Sequence, residues 1–481
     1  MPSRLSSASC RLASGKRLST KNSDPDEAVS INPATGDAFA SYPYLDAGAV
    51  EQRVAASADG FRRWSTMTIS ERTTVFTAIA KLIRRDVESL AQLATREMGK
   101  PIAQTRGEVK KCADLCDWNV EHGPAFLADE PTSVPDNKAV VAFRPLGTIL
   151  AVMPWNFPYW QAMRAAVPII LGGNAFLLKP ASNVVGCALA LEKLWLEAGL
   201  PAGTFSVLNA HHDAALDLLD DDRIAAATLT GSVKAGAAVA ARAGQALKKC
   251  VLELGGADPF IVLADADIDA AVKAGITSRY ANAGQVCIAA KRFILETAIA
   301  DEFTTKFVDA TRALRVGDPL DEKTDVGPMA RSDLRDELHE QVQSSIKAGA
   351  KLLVGGKSIH GDGNYYEPTL LVDVEPGMVA FDDEMFGPVA ALCVARDADH
   401  AIELANDSQF GLSGALWSND RERASALAAR IETGAVFING TSASDPRVPI
   451  GGIKRSGYGR ELSHFGLREF VNAQTVWIDR S

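Results

Sequence analysis

From about residue 51 to residue 126, apolar residues recur three and four apart, as at Val75, Ile79, Leu82 and Ile83, with charges between them. That period stacks side chains on one face of a helix, so the stretch reads as helical. Residues 139–144 (AVVAFR) read as a strand in a hairpin or arm. A regular alternation then begins. Strands are expected at 147–153, 174–178, 204–208, 225–229 and 251–254, with helices at 160–171, 184–198, 213–219 and 233–247 between them. Strand and helix at this spacing predict a parallel sheet covered on both faces. Such sheets take ligands at the carboxyl ends of their strands. A second alternation runs from 260–263 to about 437, with a helix over 268–283, a strand over 292–295 and a helix over 300–313. The tail VNAQTVWI, 471–478, reads as a strand that either joins another subunit or closes its own sheet.

The chain's 481 residues exceed what one core organises, so two or three domains are expected. With 47% hydrophobic and 23% charged residues the bulk is globular rather than disordered or fibrous. A net charge of -10 argues against a nucleic-acid partner and for a small-molecule substrate. No apolar run spans a bilayer; the most apolar one, 165–171, ends at Gly172-Gly173. The seven cysteines are odd in number and scattered, which fits a reducing, cytoplasmic compartment. Cys112 and Cys116 read as ordinary helix residues rather than metal ligands, and no metal is expected. The first 22 residues carry Arg4, Arg11, Lys16, Arg17 and Lys21, many serines and no acid. They read as a disordered tail, with a mitochondrial transit peptide as the alternative.

Four places carry candidate chemistry. Thr230-Gly231-Ser232-Val233-Lys234-Ala235-Gly236 follows a strand and opens a helix. Small residues there let a backbone approach phosphate, whose charge the helix N-terminus favours, although a plain turn has the same look. Lys179 ends the strand NAFLL and reads either as a ribose or phosphate contact or as a solvated lysine. Cys287, in Gly284-Gln285-Val286-Cys287, has room beside it for a substrate, or it is a core cysteine. Glu253 sits in the apolar strand Val251-Leu252-Glu253-Leu254. Burial there raises a carboxyl pKa and marks either a functional group or a structural ion pair.

Taken together, the strings are specific. Pro154-Trp155-Asn156-Phe157-Pro158, Glu253-Leu254-Gly255-Gly256, Gly284-Gln285-Val286-Cys287, Glu384-Met385-Phe386-Gly387-Pro388-Val389 and Pro449-Ile450-Gly451-Gly452-Ile453-Lys454-Arg455-Ser456-Gly457 stand in the order and spacing of the aldehyde dehydrogenase family. The resemblance spans roughly residues 30 to 480 and is nearest to the succinate-semialdehyde dehydrogenase branch. It implies an α/β fold: a Rossmann-like parallel-sheet cofactor domain over 30–253, with an arm near 120–145, after a tail over 1–29. A second α/β catalytic domain over 254–440 and a C-terminal loop and oligomerisation strand over 441–481 complete it, with a small β arm joining homodimers or homotetramers.

By that resemblance Cys287 is the nucleophile, Asn156 and the Cys287 backbone N–H hold the oxyanion, and Glu253 is the general base. Trp155 and Lys179 would line the adenosine ribose side. Gly231, Ser232, Gly236 and Leu254 would sit near the rest of the dinucleotide, with Glu384 and Phe386 at the nicotinamide ribose. Ser182 stands where many NAD-preferring members carry a glutamate, so both NAD and NADP are expected. Arg164, eight residues past Asn156, would pair with a distal substrate carboxylate, helped by Ser444. The branch's second arginine, six residues before the cysteine, is Ala281 here, with Arg279 nearby. The expected reaction is succinate semialdehyde to succinate. Another small aldehyde, or transfer of the acyl group to coenzyme A, is the alternative.

Overall fold

A computed structural model describes residues 26–135 and 138–478. The basic, serine-rich stretch over 1–22 lies outside them. Helices fill the first part of the described chain at Ala47–Trp64, Ile69–Arg85, Val87–Met98 and Ile102–Phe126. The second begins at a reciprocal cap between Thr68 and Glu71, which satisfies backbone donors that the first turn leaves free.

The first expected alternation forms a six-stranded sheet. Its order is Gly457–Tyr458, Lys249–Glu253, Ile224–Thr230, Thr148–Met153, Ala175–Pro180, Phe205–Val207. All neighbours are parallel except the first pair. Strand geometry turns successive side chains to opposite faces. Accordingly Ile149 joins the core built around Met163 and Trp195, while Leu150 joins the one containing Leu177 and Leu229. The second alternation forms a seven-stranded sheet in the order Lys351–Val354, Thr369–Val372, Val389–Ala395, Arg292–Glu296, Pro259–Val262, Gly414–Trp417, Val436–Ile438. It too is covered on both faces, with Ile261 and Phe260 in different clusters. The tail strand Val471–Trp477 pairs antiparallel with Ala139–Pro145, which also pairs with Glu130–Pro131. The tail therefore completes a sheet of its own chain.

Several boundaries differ from the sequence expectation, and two of them fall at motif residues. The helix expected over 268–283 stops at Tyr280, and Asn282 and Ala283 turn into the left-handed region at φ 51° and 50°. The helix expected over 184–198 begins as a short tight turn, Ser182–Val184, before the regular helix Val185–Glu197. Hydrophobic periodicity carries no signal for either deviation.

Candidate active site

The strand Thr148–Met153 ends in the loop 154–158, and the helix Trp160–Leu171 follows. A free helix start leaves backbone N–H groups without partners. Here Tyr159 and Trp160 donate theirs to Glu108, each at 2.9 Å. Glu108 is in turn ion-paired with the buried Lys100, whose ammonium lies 3.6 Å from the centre of the Phe157 ring. The loop is thus held at its helix end. The Asn156 side-chain nitrogen donates to the Gln285 carbonyl at 2.9 Å, and Asn282 donates to the Asn156 backbone carbonyl at 2.8 Å. An amide nitrogen carries two hydrogens, so one remains for a ligand.

Cys287 follows the left-handed turn. At Gly284 (φ 71°) a side chain would strike the Gly387 carbonyl, so only glycine permits this approach. Arg279 is fully buried and spends its guanidinium on the carbonyls of Gly284, Ala290 and Gly387, which leaves it no part in ligand binding. Lys291 donates to the carbonyls of Val286 and Cys287 and pairs with Glu384 at 3.1 Å. The thiol itself is half-buried. Burial pushes its pKa up to about 11, against the pull of Arg164 and Lys291. At neutral pH it therefore rests protonated and needs a base.

Glu253 ends its strand 3% exposed, packed against Gly451, where a side chain would meet its Oε1 at 2.9 Å. That oxygen accepts no hydrogen bond among the described residues, and the other is 4.0 Å from Arg164. Burial raises the Glu253 pKa well above the usual carboxylate range, with Arg164 opposing. Arg164, expected to await a substrate carboxylate, already has two carboxylates: it is ion-paired with Glu461 and faces Glu253. Burial works against its charge, but those two acids more than offset it and raise its pKa.

The cofactor side lies on the other wall. Ser232 caps the helix Val233–Gln245 by accepting from Ala235 N–H at 3.2 Å, so that helix's N-terminus opens beside Gly231. Gly236 lets Leu254 lie against the same helix, since a side chain there would overlap it. Trp155 and Phe386 meet edge to face at 5.8 Å. Trp155, Gly231, Ser232, Leu254 and Phe386, with Asn156, Cys287, Glu384 and Gly255, line one cleft of about 280 Å³. A side chain at Gly255 would fall on the Glu384 carboxylate and push it aside, so glycine lets that carboxylate stay where it is. A helix N-terminus, an edge-to-face aromatic pair and a glycine-lined floor fit a dinucleotide. Of the residues expected at the site, Glu253, Gly236, Arg164, Ser444, Lys179 and Ser182 are not part of that cleft's wall. Lys179 is buried, donates to the Pro180 carbonyl at 3.2 Å, and burial pulls its pKa down to about 8; Ser182 is exposed. Ser444 accepts a hydrogen bond from the Trp160 indole at 3.0 Å and another from Lys111 at 2.9 Å.

Sequence reasoning did not nominate Gln161, which lines the cleft, nor Leu338 and Gln341, which reach it from the helix Ser332–Ala348. Nor did it nominate Glu461 or Lys111. The only available signal was polarity at positions facing apolar neighbours, and it is visible only once the sheets are assembled. Among the described residues no group of three or more His, Cys, Asp or Glu gathers to hold a metal, and no helix is long and apolar enough to cross a membrane.

The sequence profile of the aldehyde dehydrogenase family matches residues 20–476. The chain is 58% identical to the succinate semialdehyde dehydrogenase [NAD(P)+] Sad of Escherichia coli strain K12, over 94% of this chain and 98% of that one. It is 46% identical to a succinate-semialdehyde dehydrogenase [NADP(+)] of Mycobacterium avium, over 94% and 97%. The crystal structure of the Streptococcus pyogenes succinic semialdehyde dehydrogenase in complex with NADP+ superposes with a TM-score of 0.92 at 36% identity, covering 94% of this chain and all of that one.

Proposed function

The chain belongs to the aldehyde dehydrogenase family, and on that footing we propose that it oxidises succinate semialdehyde to succinate with NAD or NADP as acceptor. The observation that carries the reading is the thiol of Cys287 sharing one cleft with an Asn156 amide that has a hydrogen to spare.

The Cys287 sulfur bonds to the aldehyde carbon, and its proton leaves toward Glu253 through water. Negative charge develops on the former carbonyl oxygen. The free Asn156 hydrogen and the Cys287 backbone N–H hold it, and losing one such donor typically costs about 3 kcal/mol of barrier. Bound NAD or NADP supplies the acceptor for the hydride that departs from that carbon. The acyl group left on Cys287 is a thioester. Glu253, having passed its first proton on to solvent, draws a proton from the water that attacks it; the carbon–sulfur bond breaks, the Cys287 sulfur takes that proton back, and succinate leaves. At 4.0 Å the carboxylate is too far from Arg164 for a hydrogen bond, so the guanidinium acts on it through charge alone. Gly231, Ser232 and Gly236 at the helix start would bind the pyrophosphate, with Leu254 beside them. Glu384 and Phe386 would hold the nicotinamide ribose, and Trp155 and Lys179 the adenosine side. Ser182 puts no carboxylate near the ribose, which supports acceptance of NADP. The open edge of Val471–Trp477, with Trp477 and Ile478 exposed, supports a homodimer or homotetramer. The free cysteines of the described chain support a cytoplasmic location.

The test is reduction of NAD and of NADP in the presence of succinate semialdehyde, butanal and a panel of other small aldehydes. Saturable reduction with succinate semialdehyde, abolished in Cys287→Ala and independent of coenzyme A, is expected. No turnover, or formation of acyl-coenzyme A, overturns it.

A further inference from the structure

Two buried groups beside the reacting cysteine take no part in the chemistry above: Lys291 and Asp258. Lys291 immediately precedes the strand Arg292–Glu296, and its side chain is 1% exposed. Its ammonium has three hydrogens and three acceptors: the carbonyls of Val286 and Cys287, and the Glu384 carboxylate at 3.1 Å. Among the described residues Glu384 is the one carboxylate within ion-pairing distance of it. Glu384 also lines the cleft, and accepts from the Gly256 N–H at 3.2 Å. A single acid thus neutralises a buried cation and faces a ligand. Drawing it toward that ligand strips Lys291 of its counter-charge, and an uncompensated buried ammonium is strongly destabilising.

Asp258 is built to replace it. It is buried, one residue before the strand Pro259–Val262. Its backbone carbonyl accepts from the N–H groups of both Lys291 and Arg292, at 3.1 and 3.2 Å, which ties it to the lysine's own backbone. Its Oδ1 accepts from the Ser413 N–H at 3.2 Å, while Oδ2 has no partner among the described residues. A side chain at Gly256 would lie 2.9 Å from that Oδ1 and 3.1 Å from the Cys287 carbonyl. Asp258 and the carbonyl that Lys291 holds therefore flank the same glycine. Arg292, the other cation nearby, spends its donors on the carbonyls of Ala257, Leu404, Ala405 and Asp407. A buried carboxyl with an idle oxygen calls for an explanation, and an exchange of partners supplies one.

Building on the cofactor reading above, we propose that Lys291 changes carboxylates as the cleft fills: Glu384 pairs with it before the dinucleotide binds, and Asp258 neutralises it once Glu384 turns to the bound ribose. Through the exchange Lys291 keeps its hold on the Cys287 carbonyl, so the nucleophile is positioned in both states. Lys291 and Asp258 are positioning residues, and neither lines the cleft.

The exchange moves a proton. Burial pushes the Asp258 carboxyl up to about 7; Lys291, the Ser413 N–H and Arg292 oppose the rise, and Glu384 adds to it. When Glu384 turns away, a negative neighbour recedes and Lys291 is left to Asp258. The Asp258 proton then passes to solvent and its carboxylate stays. Binding that releases a proton tightens as pH rises, until the group is already ionised in the unbound enzyme.

The experiment is calorimetric titration of the enzyme with NAD from pH 5.5 to 8.5, in buffers of low and high ionisation enthalpy, which reads affinity and proton release together. NAD is used because the 2′-phosphate of NADP itself titrates near pH 6, as phosphate monoesters do (about 6). In the unaltered enzyme Kd should fall about tenfold across the range, as a one-unit drop in the Asp258 pKa on binding requires. Proton release should fade toward pH 8.5. Asp258→Asn, which stays neutral, should bind NAD with a Kd near that of the unaltered enzyme at pH 5.5, and without its pH dependence. Lys291→Met should lose the dependence too, and Lys291→Arg should keep it. An Asp258→Asn enzyme whose Kd still falls tenfold overturns the exchange and leaves the cofactor reading standing. Should the variants not fold, a Kd flat within twofold from pH 5.5 to 8.5 in the unaltered enzyme overturns it. An unaltered enzyme that binds neither NAD nor NADP at any pH sinks the cofactor reading and this proposal together.

Discussion

Glu108 and Glu253 are both buried carboxylates within reach of a buried cation, yet their surroundings are opposite. Glu108 accepts two backbone hydrogen bonds at 2.9 Å and carries a direct ion pair with Lys100. Glu253 has one oxygen without any hydrogen bond and its cation only at 4.0 Å, shared with a second acid, Glu461. The first arrangement holds a charge still and fixes a helix start; the second keeps a carboxyl in need of a proton or a partner. A buried acid marks structure when its lone pairs are used and chemistry when they are not.

The largest test of that contrast is Glu253→Gln. Removing the base should lower kcat about a thousandfold or more while leaving folding stability within about 1 kcal/mol. Because the folded carboxyl titrates above its ordinary 4.5, turnover in the unaltered enzyme should rise with pH through that raised value. The same shift contributes stability that is complete below the unfolded pKa and lost as pH climbs through the folded one. Denaturation measured across pH should show that decline flattened in the variant. A variant that keeps full turnover would remove Glu253 from the chemistry.

Glu108→Gln should do the reverse. It strands Lys100 in the core and should cost about 3 kcal/mol of stability, read by denaturant melting. Turnover per folded molecule should fall less than in Glu253→Gln, because the loop carrying Asn156 is loosened rather than emptied. Equal losses of turnover in the two variants would erase the distinction.

The smallest expected effect comes from a third carboxylate placed in water. Ser182 is exposed, so Ser182→Glu should leave stability unchanged within about 0.5 kcal/mol. It should also shift the ratio of NADP to NAD efficiency about tenfold toward NAD, by repelling a 2′-phosphate. An unchanged ratio would separate Ser182 from cofactor choice.

Local pattern was enough for much of the molecule. Strand and helix alternation over 147–254 foretold the six-stranded sheet, because burial on both faces leaves a continuous apolar run that neighbours alone reveal. The motif strings raised the expectation that Asn156, Cys287, Glu253, Glu384 and Phe386 would meet; four of them line one cleft, and Glu253 is buried outside its wall. The left-handed turn at Asn282 and Ala283 was not foretold, because its cause is the Asn156 and Gln285 carbonyls rather than any run of neighbours.

The chain's own order thus determined which residues form strands and helices and which reactive side chains lie at strand ends, since those follow from periods of two and three to four residues. What each charge does was decided only by the assembled structure. Arg164 meets Glu461, and Lys111 meets Ser444 across 333 residues of sequence, through contacts that exist only after two sheets and a helical layer close on each other. A guanidinium or an ammonium looks the same along the sequence; its work depends on which opposite charge lies within a few ångströms, and long-range packing sets that distance.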